Sequence, residues 1–292
     1  MRIDHKDNGI RAILLDVDGV IVGDKLGVNY PLPHPDVIAR LQEVRENGVY
    51  VSLCTAKPLE SIAKIVFESN LNNLHISDGG SVITNPFEST PRHLDYIDSN
   101  VATIIMSSFV SGEIYHEAYS QAGYYVIEKS VGEITAIHAS ILGFEPIVAD
   151  DMSSVIKNNS ITKLIAIASN EQEIRKINGL VKPYDDFLTL KWGIHPVAMP
   201  YQFGVITSKS ASKENGANYI LNAYSVLHNE TLAVGDSVSD WSFMHCCGFV
   251  ATVDNSHDEL KKLVSERDAA SSCISPSVND NGIISILNYF GL

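Results

Sequence analysis

Asp16-Val17-Asp18-Gly19 is the stretch of this 292-residue chain that decides its fold. It follows the apolar run Ile13-Leu14-Leu15 and precedes a second apolar run, Val20-Ile21-Val22. Two carboxylates at the end of a buried strand are costly, because an unpaired charge resists removal from water. A bound divalent cation is a common compensation, and the glycine lets the chain leave the strand in a tight turn. Taken alone, the two aspartates also fit a turn, a structural ion pair or a glycosyltransferase-type metal site.

Composition and charge narrow the classes of function. The chain is 45% hydrophobic and 19% charged, which is ordinary for a soluble globular protein. Its formal net charge of −14 argues against general nucleic-acid binding, which needs a basic surface. A small anionic substrate stays compatible with this charge, because local cations can dominate a site. No run approaches about 18 apolar residues, so no membrane span is predicted.

The N-terminal segment and the cysteines favour a cytoplasmic protein. Residues 1–6 are too polar for a secretory signal. The four cysteines form no Cys-x-x-Cys pattern, and the adjacent Cys246 and Cys247 are poorly placed to pair with each other. Reduced thiols are the expected state for such cysteines.

Strand and helix signals alternate over the first 85 residues. Apolar runs at 12–15 and 49–54 are typical of strands buried on both faces. Between them Val37, Leu41 and Val44 have helical spacing. This alternation predicts a parallel sheet with right-handed crossovers.

The pattern changes after residue 85 and resumes near residue 200. Strand-like pieces at 124–127 and 164–167 lie among helical patterns, which is typical of an inserted α+β unit. We therefore predict an α/β fold with a discontinuous core, residues 1–85 and 200–292, and an inserted unit over residues 86–199.

Polar clusters follow three separate apolar strands. Asp16 and Asp18 follow the first strand, Thr55 follows the second, and Asp236 with Asp240 follows Leu232-Ala233-Val234. In open α/β sheets ligands bind at the carboxyl edge of the strands. Four carboxylates at one edge need a cation, and Mg²⁺ accepts carboxylates, waters and a substrate phosphate. The sequence therefore predicts a Mg²⁺ site there.

Two further residues suit an anion. Thr55 lies just before a helix that Pro58 can open, where free backbone N–H groups favour phosphate oxygens. Lys213 lies near the start of another predicted helix, where the helix dipole disfavours a cation unless a nearby anion offsets the repulsion. Lys209 competes for the same role. A solvated surface lysine and a capping threonine are the alternative interpretations.

Together these motifs resemble the haloacid dehalogenase superfamily of hydrolases, in its Cof-like, type IIB branch with a large cap. The order Asp-x-Asp-Gly, a strand ending in Thr55, an inserted cap, Lys213 and Gly-Asp-x-x-x-Asp matches over nearly the whole chain. The similarity extends to Ser77-Asp78-Gly79-Gly80, where the family often has Asn-Gly, and to Asp280-Asn281-Gly282. It implies a Rossmann-like parallel-sheet core with an inserted α+β cap domain.

The resemblance implies a distinct role for each catalytic and phosphate-binding residue. Asp16 would attack phosphorus and become an aspartyl-phosphate. Asp18 would act as general acid for the leaving alcohol and then as general base for the hydrolytic water. Thr55 and Lys213 would hold the oxygens of the transferring phosphoryl group.

The resemblance also implies a metal site. Mg²⁺ would be held by the carboxylates of Asp16 and Asp236, by the backbone carbonyl of Asp18 and by waters. Asp240 would orient one such water or Lys213. The chain departs from the family at Ala56-Lys57, commonly Gly-Arg, and at Ser239, commonly Asn. Neither change removes a charged catalytic group, so both bear on substrate orientation more than on chemistry.

The expected function is a Mg²⁺-dependent phosphatase for a small phosphomonoester, with a sugar phosphate as the expected substrate. A phosphotransferase or phosphomutase on the same fold and a non-catalytic regulatory binding protein are the alternatives. A glycosyltransferase would leave Thr55, Lys213 and the Gly-Asp-x-x-x-Asp motif unexplained. The expected partner is a small phosphorylated metabolite, with no nucleic acid or membrane, for a monomer or small homo-oligomer.

Overall fold

The computed structural model describes residues 9–292, so the polar segment 1–6 lies outside the described residues. The strands in chain order are β1 (Ala12–Leu15), β2 (Tyr50–Leu53), β3 (His75–Ser77), β4 (Val82–Thr84), β5 (His93–Leu94), β6 (Tyr115–Ser120), β7 (Gly123–Ile127), β8 (Ile147–Ala149), β9 (Lys163–Ala168), β10 (Leu188–Ile194), β11 (Gln202–Ser208), β12 (Thr231–Val234), β13 (Phe249–Val253) and β14 (Ser272–Ser275). The α-helices are α1 (Pro35–Glu46), α2 (Leu59–Glu68), α3 (Ser99–Ser111), α4 (Glu133–Leu142), α5 (Met152–Asn158), α6 (Glu171–Val181), α7 (Lys213–Tyr224), α8 (Trp241–Met244), α9 (Asp258–Ser265) and α10 (Gly282–Tyr289). Among the described residues, no helix combines the length and apolarity needed to traverse a bilayer.

The core sheet has five parallel strands in the order β14-β13-β12-β1-β2. All four residues of β1 are buried, as expected for a strand covered on both faces. From β1 the chain builds the sheet to one side through β2, and β12 to β14 extend it to the other side. The order therefore reverses between β1 and β12, and the carboxyl edge at such a reversal forms the ligand crevice of open α/β sheets. The predicted parallel sheet is confirmed.

Helices cover both faces of this sheet. On one face α1 packs Val37 and Leu41 into a cluster with Ile13 and Leu15 of β1. On the other face α7 packs Ala217 and Ile220 against Leu14. Both faces of the core sheet are therefore covered by apolar layers.

The inserted unit, which we call the cap, contains a six-stranded sheet in the order β10-β11-β9-β6-β7-β8. Helices α3, α5 and α6 pack on one face through residues such as Phe109, Ile156 and Ile177. An aromatic cluster that includes Tyr119 and Tyr124 lies on the other face, where α4 packs. The strands predicted at 124–127 and 164–167 are confirmed as β7 and β9, and the predicted α+β character is confirmed.

The sheets also bear on where the cap ends. Strand β11 pairs with both β9 and β10, although the sequence places residues 200–292 in the core. Strands β4 and β5 instead pair with β3 in a separate three-stranded sheet. We therefore propose that the cap extends to Ser208 rather than to residue 199, and the remaining domain bounds stay predictions.

A buried ion pair joins the cap to the core. Lys163 of β9 is 2% exposed, and its Nζ lies 2.7 Å from Oδ1 of Asp78, in the turn after β3. The same Nζ donates to the carbonyl oxygen of Ala56 at 3.0 Å, and the Thr162 hydroxyl donates to Oδ2 of Asp78 at 3.2 Å. Because both charges are buried, removal of one leaves the other uncompensated.

We expect Lys163→Met to lower the free energy of unfolding by about 3 kcal/mol, since Asp78 would be buried without a counter-charge. Urea denaturation measures this loss, and Lys157→Met on the exposed face of α5 is the matched control. Lys163→Met combined with Asp78→Asn should be less destabilised than the sum of the two single variants. Equal unfolding midpoints for Lys163→Met and Lys157→Met would contradict the expectation.

Candidate active site

Three carboxylates converge where the order of the core sheet reverses. Asp16 follows β1 directly, and its N–H donates to the carbonyl oxygen of Val234 in β12 at 2.9 Å. Asp236 and Asp240 lie in the turn after β12. One carboxylate oxygen from each aspartate lies within 4.8 Å of the others. Asp16 is 6% exposed and Asp240 is fully buried, so this is a desolvated acid cluster.

Two glycines allow the acids to approach. Gly19 has φ +78°, and a Cβ built on it would lie 2.1 Å from Oδ2 of Asp236. A Cβ on Gly235 would lie 2.5 Å from the Cβ of Asp240. The glycine of Asp-x-Asp-Gly therefore serves both the turn and the close passage of Asp236.

Lys213 pairs with two of the three acids. It is the first residue of α7, which Ser212 caps by accepting from the N–H of Asn215. Its Nζ donates to Oδ1 of Asp16 at 2.6 Å and to Oδ1 of Asp240 at 2.7 Å. The lysine is thus held at a helix N-terminus by anions, which offset the unfavourable helix dipole.

Lys209, the alternative to Lys213 as the anion-binding lysine, does not lie at the acid cluster. Lys209 lines a surface depression of the cap with Lys182 and Asp185, away from the acid cluster. The turn that precedes β4 explains why Lys213 is the lysine brought to the site. A Cβ on Gly80 would lie 2.3 Å from the backbone of Ser212, so this turn packs directly on the N-terminus of α7.

The single positive charge of Lys213 does not balance the three carboxylates of the cluster. Burial and the charge of Asp240 raise the pKa of Asp16 well above its usual range, against the attraction of Lys213. Burial and Asp240 also raise the pKa of Asp236 to about 7. Burial acts to raise the pKa of Asp240 as well, but the charge and hydrogen bond of Lys213 outweigh it and lower that pKa. One ammonium therefore neutralises only part of the cluster.

The donor set fits a hard divalent cation. The three converging side chains offer only carboxylate oxygens, which Mg²⁺, Mn²⁺ and Ca²⁺ prefer. Within residues 9–292 the Asp236 carboxylate forms no ion pair with a basic side chain, so its charge is available to a metal. Asp16, Asp236 and Asp240 are the residues whose side chains could hold or orient such an ion.

Asp18 occupies a different position from the three converging acids. Its Oδ1 accepts from Nζ of Lys57 at 2.7 Å, and it is more exposed than Asp16. The sequence marks Lys57 only as a departure from the family and misses this pair. The sequence could have indicated this pair, because Lys57 follows Thr55 by two residues and so lies at the same sheet edge as Asp18.

Thr55 is held rigidly at the carboxyl end of the strand beside β1. It is 2% exposed, its N–H donates to the carbonyl oxygen of Ile76, and its own carbonyl accepts from the N–H of Gly79, both at 3.0 Å. The hydroxyl accepts from the N–H of Lys57 at 3.1 Å. The phosphate-binding role of Thr55 stays a prediction.

Comparison with known proteins identifies the family. The family of haloacid dehalogenase-like hydrolases matches residues 13–287, and the chain belongs to it. Phosphatase YwpJ of Bacillus subtilis is 21% identical over 272 residues, which cover 87% of this chain and 93% of that protein. The predicted family is thereby confirmed, as is an enzyme of the phosphatase class. Members of the family generally use a divalent metal, and the acid cluster agrees with this.

Solved structures share the whole architecture. A haloacid dehalogenase-like hydrolase from Bacteroides thetaiotaomicron superposes with a TM-score of 0.78 at 16% identity, covering 96% of this chain and 98% of its own. The subclass IIB sugar phosphatase BT4131 gives 0.74 at 16% identity, covering 96% and 99%. The predicted Rossmann-like core with an inserted cap is therefore confirmed.

The acid cluster predicts a pH-dependent stability in metal-free protein. Asp236 keeps its proton to about pH 7 when folded, but releases it near its ordinary pKa of 3.8 when unfolded. The folded state therefore binds more protons between these values, and its stability is lost as pH rises from about 4 to about 7.

Asp236→Asn should remove that loss. We expect chelator-treated wild type to lose more unfolding free energy than Asp236→Asn between pH 5 and pH 8, in urea titrations. Asp254→Asn, at an exposed aspartate outside the cluster, should behave as wild type. Added Mg²⁺ should stabilise the wild type more at pH 8 than at pH 5. Parallel pH curves for wild type and Asp236→Asn would refute this account of the cluster.

Proposed function

We propose that this haloacid dehalogenase-like hydrolase is a Mg²⁺-dependent phosphatase for a small phosphomonoester, with sugar phosphates as the substrate class. The observation that carries the proposal is the convergence of Asp16, Asp236 and Asp240 on one another, with Lys213 as the one basic side chain that pairs with them within residues 9–292. Such a site suits a divalent cation together with a phosphoryl group. The structural likeness to a sugar phosphatase of subclass IIB supports the substrate class.

Asp16 is the proposed nucleophile. Its Oδ1 is occupied by Nζ of Lys213, which leaves Oδ2 to attack phosphorus. A bond forms between Oδ2 and phosphorus, the ester P–O bond breaks, and its electron pair leaves on the alcohol oxygen. Asp18 donates a proton to that oxygen, so a neutral alcohol departs.

Hydrolysis of the resulting aspartyl-phosphate reverses the role of Asp18. Asp18 accepts a proton from water as the water oxygen bonds to phosphorus. The bond between phosphorus and Asp16 then breaks, which regenerates the carboxylate and releases inorganic phosphate. One acid near the mouth of the site can serve both steps, because it is protonated after the second and deprotonated after the first.

Positioning and charge neutralisation supply most of the rate in phosphoryl transfer. A carboxylate and a phosphate repel each other, and bound Mg²⁺ would offset this repulsion. Asp16 and Asp236 would hold the ion with the backbone carbonyl of Asp18, while Asp240 keeps Lys213 in place. Lys213 and Thr55 would bind the oxygens of the phosphoryl group.

We expect Asp16→Asn to lower phosphate release from sugar phosphates by about a thousandfold or more, since it removes the nucleophile. The measurement is a phosphate assay with Mg²⁺ over a panel of sugar phosphates, nucleotides and an aryl phosphate. Asp254→Asn is the matched control because it makes the same change at an exposed position.

The same assay tests the metal dependence, the nucleophile and the alternative of a phosphotransferase. Chelator should abolish wild-type release and Mg²⁺ should restore it. Release that persists in Asp16→Asn would exclude this nucleophile. Release only after a sugar acceptor is added, with the phosphoryl group appearing on the acceptor, would identify a phosphotransferase.

A further inference from the structure

Lys57 is a largely buried lysine of the core whose ammonium bonds to Asp18. Its side chain is 11% exposed, and its Nζ lies 2.7 Å from Oδ1 of Asp18. Lys64, which pairs with Glu68 at 3.7 Å on the surface of α2, is 62% exposed. An exposed pair of that kind contributes little, because water screens the charges and both side chains stay mobile. The pair of Lys57 with Asp18 is shorter and less exposed, so it restricts the side chains that form it.

The backbone around Lys57 is held on both sides. Its N–H donates to the Thr55 hydroxyl at 3.1 Å, and its carbonyl oxygen accepts from the N–H of Asp78 at 2.9 Å. The carbonyl oxygen of the preceding residue, Ala56, accepts from Nζ of Lys163 at 3.0 Å. Lys57 therefore extends toward Asp18 from a fixed backbone, and a group that is already fixed loses less conformational freedom when it forms a contact.

The backbone of Asp18 is fixed by its turn, whereas its side chain depends on Lys57. The N–H of Gly19 donates to the carbonyl oxygen of Val22 at 2.8 Å, which closes the turn that follows Asp18. Within residues 9–292 the hydrogen-bond partner of the Asp18 carboxylate is Lys57, and Oδ2 has none. Without Lys57 the choice among the staggered conformers of Asp18 would be left to local sterics and to repulsion by nearby acids.

Both aspartates of Asp-x-Asp are anchored in the same way. Lys213 bonds to Oδ1 of Asp16 at 2.6 Å, and Lys57 bonds to Oδ1 of Asp18 at 2.7 Å. In the part of the chain that the structure describes, no hydrogen bond involves Oδ2 of either aspartate. In the proposed function Oδ2 of Asp16 forms the bond to phosphorus. The bond from Lys57 likewise leaves Oδ2 of Asp18 for the proton that goes to the leaving oxygen and, in the second step, comes from water.

We propose that Lys57 is a positioning residue that holds Oδ1 of Asp18 and so directs Oδ2 toward the oxygen of the leaving alcohol. The proposal rests on the proposed phosphatase function, in which Asp18 transfers a proton in both steps. Lys57 acts through Asp18 and forms no bond to the substrate. A general acid must lie within hydrogen-bond distance of the atom that it protonates, so a displacement of about 1 Å is costly.

A comparison of two leaving groups tests this role. The alcohol of a sugar phosphate needs a proton in order to leave, whereas 4-nitrophenolate leaves as a stable anion. Because kcat/KM covers the steps up to loss of the leaving group, it isolates the step in which Asp18 acts as acid. For Lys57→Met we expect kcat/KM to fall about a hundredfold for the sugar phosphate that wild type hydrolyses best, but at most about threefold for 4-nitrophenyl phosphate. The loss on the sugar phosphate should appear in kcat rather than in KM.

Three further variants bound the interpretation. Lys57→Arg should keep most of the activity on the sugar phosphate, because a guanidinium can bond to the same oxygen of Asp18. Lys64→Met, the same change at the exposed pair on α2, should behave as wild type. In an Asp18→Asn background, Lys57→Met should add less than about twofold to the loss, since residues that act as a unit are not additive. Equal losses on both substrates, a rise in KM alone, or losses that multiply would overturn the proposal and leave the phosphatase function standing.

Crystal structures separate this proposal from the phosphatase function. Wild type and Lys57→Met, each grown with Mg²⁺, would show the Asp18 side chain whether or not any compound is hydrolysed. We expect one conformer of Asp18 in wild type, with Oδ1 bonded to Nζ of Lys57, and a different or a second conformer in Lys57→Met. The same single conformer in both proteins would overturn the proposal, whatever their activity. A changed conformer in a protein that hydrolyses no compound of the panel would support the anchoring of Asp18 and contradict the phosphatase function instead.

Discussion

Mutual repulsion among three converging carboxylates, two of them buried, is the constraint on which the rest of this structure depends. Asp16, Asp236 and Asp240 meet because the strand order reverses between β1 and β12. Glycines at 19 and 235 let the backbone approach that closely, and Lys213 offsets part of the charge. The remaining negative charge would bind a divalent cation, which in turn would bind a phosphoryl group. The charge that is costly to bury is therefore also the charge that would bind the metal.

The cap contacts the core beside this acid cluster. The buried pair between Lys163 and Asp78 joins its sheet to the turn that supports α7, and so links cap position to the placement of Lys213. A protein with a formal net charge of −14 thereby pairs Lys57, Lys163 and Lys213 with aspartates of the core. Local charge, rather than net charge, decides what such a protein can bind.

Sequence patterns predicted the parallel core and brought the catalytic candidates to one edge, because strand ends carry contiguous signals. Asp-x-Asp-Gly and Gly-Asp-x-x-x-Asp each lie directly after an apolar run. The pairs Lys57–Asp18 and Lys163–Asp78 were missed, because they join residues from separate elements and depend on how the cap meets the core. The membership of β11 in the cap sheet was missed for the same reason, since its hydrogen-bond partners are distant in sequence.

The most direct test of the central claim is to identify the phosphorylated residue. Wild-type enzyme would be mixed with Mg²⁺ and a sugar phosphate that it hydrolyses, and the reaction would be quenched in acid within milliseconds. The protein would then be reduced with borohydride and its peptides analysed by mass spectrometry. An aspartyl-phosphate at Asp16 predicts homoserine at position 16, in the peptide that also carries an unmodified Asp18. Phosphate release with no modified residue, or modification at a different residue, would contradict the account.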